Sequence, residues 1–507
     1  MSFLFLNVEF LFLLNICFLI IFILSSNLFY NFRYLLELKS LRVDYLVRNL
    51  VNFSVFFFST LINLLFYLYD KRFFWFDLMV YNDNFIIFSK FLVLFSASLI
   101  LIFSTSYFQF EVTFKSFEYF ILFLLSVLGM FFLLSSNDFL SLYLTIELQS
   151  LALYVLASFK QNSILSIEAG LKYFILGTFS SGLLLFGISF IYGFTGLTNF
   201  FEIDLLFQQN FNLRSDPLVS LGILFFLAAL MFKFTAVPFH MWAPDVYHGS
   251  PTIITFFFSM TPKIVFFSLL LRLVLLVFSG FELHYRVMFF FCSILSLLIG
   301  SLASLYQNKL KRLLAYSSIS NVGYALVALL CGQVEALTSG FFFFFVYIFV
   351  LTGIFSVLLG LRNFHNFFKI TNIYSFLGVL NSNSLLGFIL VINLFSLLGL
   401  PPLAGFLAKF YLFFNMIGSE FFFLFFISVL SSILSAAIYL KMVRLVLFNK
   451  YNNIYFYIPL QREFAVIIAI TLIFNIFVFF YSGIILKLIY NGILTALKLS
   501  IVYPFIF

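Results

Sequence analysis

Apolar runs of about twenty residues recur along the whole chain, and they restrict it to one kind of fold. In hydrocarbon every peptide N–H and C=O must be satisfied within its own segment, so a run of this length is a helix. Only 9% of the 507 residues are charged, against about 25% in soluble domains. No room is left for a sizeable aqueous domain. The expected fold is an all-α integral membrane protein with about 14 transmembrane helices. They fall near residues 3–24, 51–69, 85–105, 117–134, 137–158, 165–194, 217–247, 251–277, 287–306, 310–332, 335–360, 384–418, 421–448 and 463–490. The first run has no basic segment before it and no small-residue cleavage site after it, so it is expected to be a retained span.

An even number of spans puts both termini on one face. With the termini outside, the inner connections carry about thirteen Lys and Arg, among them Lys160, Lys309, Lys311 and Arg312, and the outer ones about five. Short basic loops stay on the inner side, so both termini are expected outside. The net charge of +8 is then a topology signal and not a nucleic-acid footprint. Cys17, Cys292 and Cys331 are widely spaced in apolar surroundings, which argues against zinc or iron–sulfur ligation. Phenylalanine supplies 86 residues and alanine few, a composition typical of an AT-rich genome, as in many organelles.

Against this background Lys233, Lys263 and Lys409 stand out, each deep in a span and within two turns of a proline. A charge at the bilayer centre costs about 2.5–3.5 kcal/mol on insertion scales, and such residues mark ion or proton paths. Lysine can release its proton where arginine cannot, so the residue type favours proton handling. Glu147 lies nine residues beyond Asp138, about half the hydrocarbon thickness at 1.5 Å per residue. It needs a cationic partner, and Lys233 is expected at similar depth. A static ion pair that only holds helices together is the competing reading. Lys172, two turns inside span six, can snorkel to an interface. His240 titrates in a useful range, yet a lone histidine is often a structural hydrogen-bonding residue. Arg272, Lys441 and Arg444 read as interfacial anchors.

Pro238 interrupts span seven, and Pro401 and Pro402 interrupt span twelve. Proline frees the carbonyl four residues earlier, here those of Phe234, Leu397 and Leu398. Irregular backbone at membrane depth is tolerated where it is buried or lines water. Two interrupted helices at matching places predict two inverted-topology repeats with discontinuous helices 7 and 12 at the transport site. The expected units are residues 1–110 with helices 1–3, 111–280 as the first repeat, 281–450 as the second, and 451–507 with helix 14 and a tail. No Gly-rich dinucleotide turn, Walker loop or haem attachment motif is present. The energy source must lie in another subunit or in an ion gradient.

Four stretches carry a family resemblance: Asp138-Phe-Leu-Ser-Leu-Tyr-Leu-Thr-Ile-Glu147-Leu-Gln-Ser, Glu168-Ala-Gly-Leu-Lys172-Tyr-Phe, Lys233-Phe-Thr-Ala-Val-Pro-Phe-His240-Met-Trp-Ala-Pro-Asp245-Val-Tyr, and Lys311-Arg-Leu-Leu-Ala-Tyr-Ser-Ser. They resemble the antiporter-like membrane subunits of respiratory complex I, NADH:ubiquinone oxidoreductase, over roughly residues 85–450. The resemblance implies a proton-translocating subunit of the mitochondrial inner membrane, with termini on the intermembrane-space side. It implies a polar axis of Glu147, Lys233, Lys263 and Lys409, with Lys172 and His240 as linking residues, driven by quinone reduction in neighbouring subunits. No cofactor is implied for this chain, with flavin, iron–sulfur clusters and ubiquinone in partner subunits. The implied partners are other membrane-arm subunits and lipids.

Two positions depart from the family pattern. His248 stands where an acidic residue is frequent, and Asn321 where many relatives have histidine, so a proton relay at Asn321 needs water. Two other functions compete: a subunit of a multisubunit cation/proton antiporter, and a non-pumping structural spacer. The Glu-Leu-Gln-Ser form favours complex I over the first, and the lysine series argues against the second.

Overall fold

The computed structural model describes residues 41–67, 69, 73–75, 79–110, 116–209, 216–361, 372–377, 379–448 and 462–502. Helix α1 (Leu41–Tyr67) precedes a hairpin of β1 (Phe73–Trp75) and β2 (Val80–Asn82), then α2 (Asn84–Phe110). Next come α3 (Ser116–Ser135), α4 (Phe139–Ala157), α5 (Ile164–Thr195) and the short α6 (Phe200–Gln209). Helices α7 (Pro217–Phe234) and α8 (Trp242–Gly249) form a broken span, and α9 (Thr252–Arg272) runs on as a π-turn over Leu273–Val277. They are followed by α10 (Glu282–Leu305), α11 (Leu310–Cys331) and α12 (Val334–Gly360). A four-residue α13 (Val379–Ser382) leads into the second broken span, α14 (Ser384–Leu398) and α15 (Ala404–Gly418). The chain continues through α16 (Phe422–Leu447), α17 (Arg462–Phe480) and α18 (Ser482–Val502).

Eleven of the described helices are long and apolar enough to cross a membrane. The halves α14 and α15 are each shorter than that, and the expected first span, 3–24, and Cys17 lie outside the described residues. The single helix expected over 463–490 is two, α17 and α18, divided at Tyr481 beside Ser482 and Gly483. Glycine is a poor interior helix residue, and an apolar run conceals such a divide. Helix α18 packs against α2 and α12, which closes the C-terminal segment onto the body of the bundle.

Three helices form the centre. In α9 with its π-turn, α11 and α12, 94% of the most apolar stretch is buried, against 39% in α5 and 28% in α16. The central three are enclosed on all sides, while the outer ones keep an apolar face for lipid. Phenylalanine fills this centre: Phe267 and Phe344 lie 4.9 Å apart between centroids, and Phe341 meets Phe85 edge-on at 5.2 Å. Glycine is kept where helices cross backbone to backbone. A Cβ on Gly129 would come within 2.8 Å of the Gln149 nitrogen, and one on Gly300 within 2.6 Å of the Ser320 nitrogen. The partners are twenty residues apart in both crossings, one between α3 and α4, the other between α10 and α11.

The two breaks share one backbone pattern. Helix α7 stops at Thr235 (φ 67°), and the Ala236 N–H reaches back to the Met231 carbonyl at 3.0 Å. Helix α14 stops at Gly399 (φ 84°), and the Leu400 N–H reaches back to the Phe395 carbonyl at 3.2 Å. Both are left-handed helix stops, each followed three residues later by a proline, Pro238 or Pro402. Glycine adopts this conformation freely; a β-branched threonine does so only where its surroundings hold it. Thr235 is 2% exposed.

Candidate functional site

Lys233 occupies the last turn of α7, where the helix carbonyls attract a cation, and it is 6% exposed. Its Nζ donates to the Tyr154 hydroxyl at 3.0 Å. The Tyr154 ring stands edge-on to Tyr173 at 4.7 Å, and Tyr173 stacks on Trp242 at 4.5 Å. Trp242 Nε1 donates to the Phe232 carbonyl at 3.1 Å. The first residue of α8 is thereby tied to the last turn of α7, across the break.

Glu147 is half-buried on α4, and Ser150 Oγ donates to its Oε2 at 3.3 Å. Its Oε1 is buried and has no partner among the described residues. Glu147, Ser150 and Tyr154 follow at spacings of three and four, so they share one face of α4. The direct Glu147–Lys233 ion pair expected from depth is not formed. Among the described residues no basic group lies within ion-pair distance of Glu147, and Tyr154 takes the lysine instead. Sequence reasoning missed Ser150 and Tyr154; the Glu-x-x-Ser-x-x-x-Tyr spacing was the available signal.

Lys263 follows Pro262 inside α9 and is 2% exposed. Its Nζ has no hydrogen-bond partner among the described residues and lies 6.0 Å from the Tyr247 ring centroid. The Tyr247 hydroxyl donates at 2.9 Å to the carbonyl of Phe258, the one that Pro262 frees. Lys409, 7% exposed on α15, does the same service at the second break. Its Nζ donates to the Leu397 carbonyl at 2.8 Å and the Leu398 carbonyl at 3.0 Å, the two freed by Pro401 and Pro402. A cavity of about 20 Å³ between Asn321, Tyr347, Ser396 and Lys409 adjoins it, which is room for about one water.

The remaining candidates lie in two different settings. His240 sits in the first break, 5% exposed, with Nδ1 lacking a partner among the described residues. Lys172 is half-exposed and pairs with Glu168 at 2.6 Å and Asp245 at 2.8 Å, and Asp245 also takes Arg312 at 3.1 Å. Lys172 therefore ties α5 to α8 and, through Asp245, to α11; it bonds neither Glu147 nor Lys233. His248 stands half-buried beside this cluster. Arg272 is no interfacial anchor: it is 2% exposed and Nη1 donates to the Leu134 and Ser136 carbonyls at 2.6 and 3.1 Å. It closes the carbonyl end of α3, a demand that the sequence around Arg272 does not display. Lys441 and Arg444 are exposed on α16. Among the described residues no group of three or more His, Cys, Asp or Glu could hold a metal ion.

Fold and site together define a class: a multi-pass membrane protein with interrupted helices and buried amines at the interruptions. A family model described as the NADH:quinone oxidoreductase/Mrp antiporter transmembrane region matches residues 136–435. NADH-ubiquinone oxidoreductase chain 2 of Marchantia polymorpha is 46% identical over 382 residues, which is 74% of this chain and 76% of that one. NADH-quinone oxidoreductase subunit N of Pelagibacter ubique is 43% identical over 339 residues, 67% of this chain and 70% of that one. A chain of respiratory complex I from Thermus thermophilus superposes with a TM-score of 0.73 at 26% identity, over 93% of this chain and 98% of that one. The chain belongs to the antiporter-like membrane-subunit family of NADH:quinone oxidoreductase, on the branch of chain 2 and subunit N.

Proposed function

We propose that this chain is a proton-translocating membrane-arm subunit of NADH:ubiquinone oxidoreductase in the mitochondrial inner membrane. Its axis runs through Glu147, Lys233, Lys263 and Lys409, with His240 at the first break and Lys172 at the rim. One observation carries this reading. The three lysines are at most 7% exposed, and none has a carboxylate within ion-pair distance among the described residues. Amines placed for static packing pair with acids, because an unpaired buried charge is costly. These rest on a phenol, on backbone carbonyls, or on no partner among the described residues. A structural spacer has no use for them. Redox chemistry belongs to partner subunits holding flavin, iron–sulfur clusters and ubiquinone, and both termini face the intermembrane space. The matching helix stops and the paired Gly129 and Gly300 crossings support two repeats, residues 111–280 and 281–450. The test is proton pumping by the assembled complex in vesicles. Lys233→Met and Glu147→Ala should each remove most of the pumping while the complex still assembles; unchanged pumping by both would reduce them to packing residues.

A further inference from the structure

Between the loop after α4 and the first three turns of α5 lies a cleft with about 500 Å³ of free volume. Charged and polar groups, Glu118, Lys160 and Asn162, line it beside Leu122, Leu171 and Phe174. Phe174 is ten residues into α5, so the cleft reaches about 15 Å from the loop along that helix. At about 30 Å³ per water it accommodates more than ~10 waters. Tyr154 is part of its wall, and the same Tyr154 accepts the hydrogen bond from Lys233. Edge-on contacts with Tyr173 at 4.7 Å and Phe174 at 5.7 Å hold the ring in that position.

We propose that protons reach the buried Lys233 amine through this cleft, with the Tyr154 hydroxyl as the last relay. This rests on Lys233 being a proton carrier. A hydronium in the cleft gives its proton to the Tyr154 oxygen while the phenol's own proton passes to the neutral Lys233 nitrogen. One O–H bond of the phenol breaks and another forms, so the tyrosine ends neutral, water is left behind and the lysine becomes an ammonium. Release in the opposite direction reverses the same two transfers. The hydroxyl is in reach of the amine at 3.0 Å, within the distance that proton transfer needs.

The experiment uses the assembled complex in vesicles and three variants of this chain: Tyr154→Phe, Leu171→Cys and Lys233→Met. Tyr154→Phe keeps the ring and its contacts but removes the relay, and it should lose most proton pumping. Leu171 lines the cleft and is 57% exposed. Leu171→Cys should be modified by a charged, water-soluble methanethiosulfonate, and treated complexes should pump more slowly than their own untreated samples. The parent complex, in which Cys292 and Cys331 are buried, gives the background. Normal pumping by Tyr154→Phe overturns the relay, and a Leu171→Cys thiol that the reagent leaves untouched overturns the water-filled cleft. Should Tyr154→Phe fail to assemble, the Leu171→Cys result decides alone. Lys233→Met separates the two levels. If it abolishes pumping while Tyr154→Phe pumps normally, only the route is wrong; if it pumps normally, the reading of Lys233 falls with it.

Discussion

Lys409 shows how far a residue could be read from the chain. Its depth and its two prolines are plain in the sequence, and so is the identity of the carbonyls that Pro401 and Pro402 release. What the sequence does not display is that the lysine itself takes both carbonyls. That depends on how α15 folds back past the end of α14, which no local pattern encodes. The same limit explains Glu147 and Lys233: the sequence led to the expectation of a shared depth, but the choice of Tyr154 as partner depends on which face of α4 meets α7. The functional reading of Lys409 has a sharp test. Lys409→Met and Lys409→Arg should both impair pumping in complexes that assemble, since methionine removes the charge and arginine keeps it without releasing a proton. Full pumping by the arginine variant would leave Lys409 as a helix-end cap and nothing more.

At the scale of elements, helix positions follow from apolar length alone, and breaks at 238 and 401–402 were marked by proline. The short surface helix α6, the β1–β2 hairpin and the divide between α17 and α18 were not legible, because none changes the apolar composition that sets the reading. Helix crossings were hidden for another reason. Gly129 and Gly300 look like any membrane glycine until the partner backbone at 2.8 and 2.6 Å is seen. Gly300→Leu should force α10 and α11 apart and cost about 1–3 kcal/mol, the usual range for overpacking. Gly182→Leu is the control, because a Cβ there meets nothing within 4 Å. Thermal denaturation of the purified complex reads the difference, and equal stability of the two variants would remove the close crossing as an explanation for Gly300.

For the whole molecule, the membrane class and the family were legible from composition and four motifs, whereas orientation rests on the Lys and Arg count of the loops. Cysteines placed singly at residue 2 and at residue 160 test it: an impermeant thiol reagent on the intermembrane-space side should modify the Ser2→Cys chain and not the Lys160→Cys chain. The reverse labelling would put Lys160, and the mouth of the Tyr154 cleft that it lines, on the intermembrane-space side. Glu147 is a single carboxylate set against three buried amines, Lys233, Lys263 and Lys409, whose hydrogen-bond partners among the described residues are a phenol, backbone carbonyls or none. An ammonium formed on any of the three would lie in the fold without an acid paired to it among the described residues, which is a costly state. On the proposed reading each such proton is held only in passing, so the buried amines are suited to hand it on and not to store it.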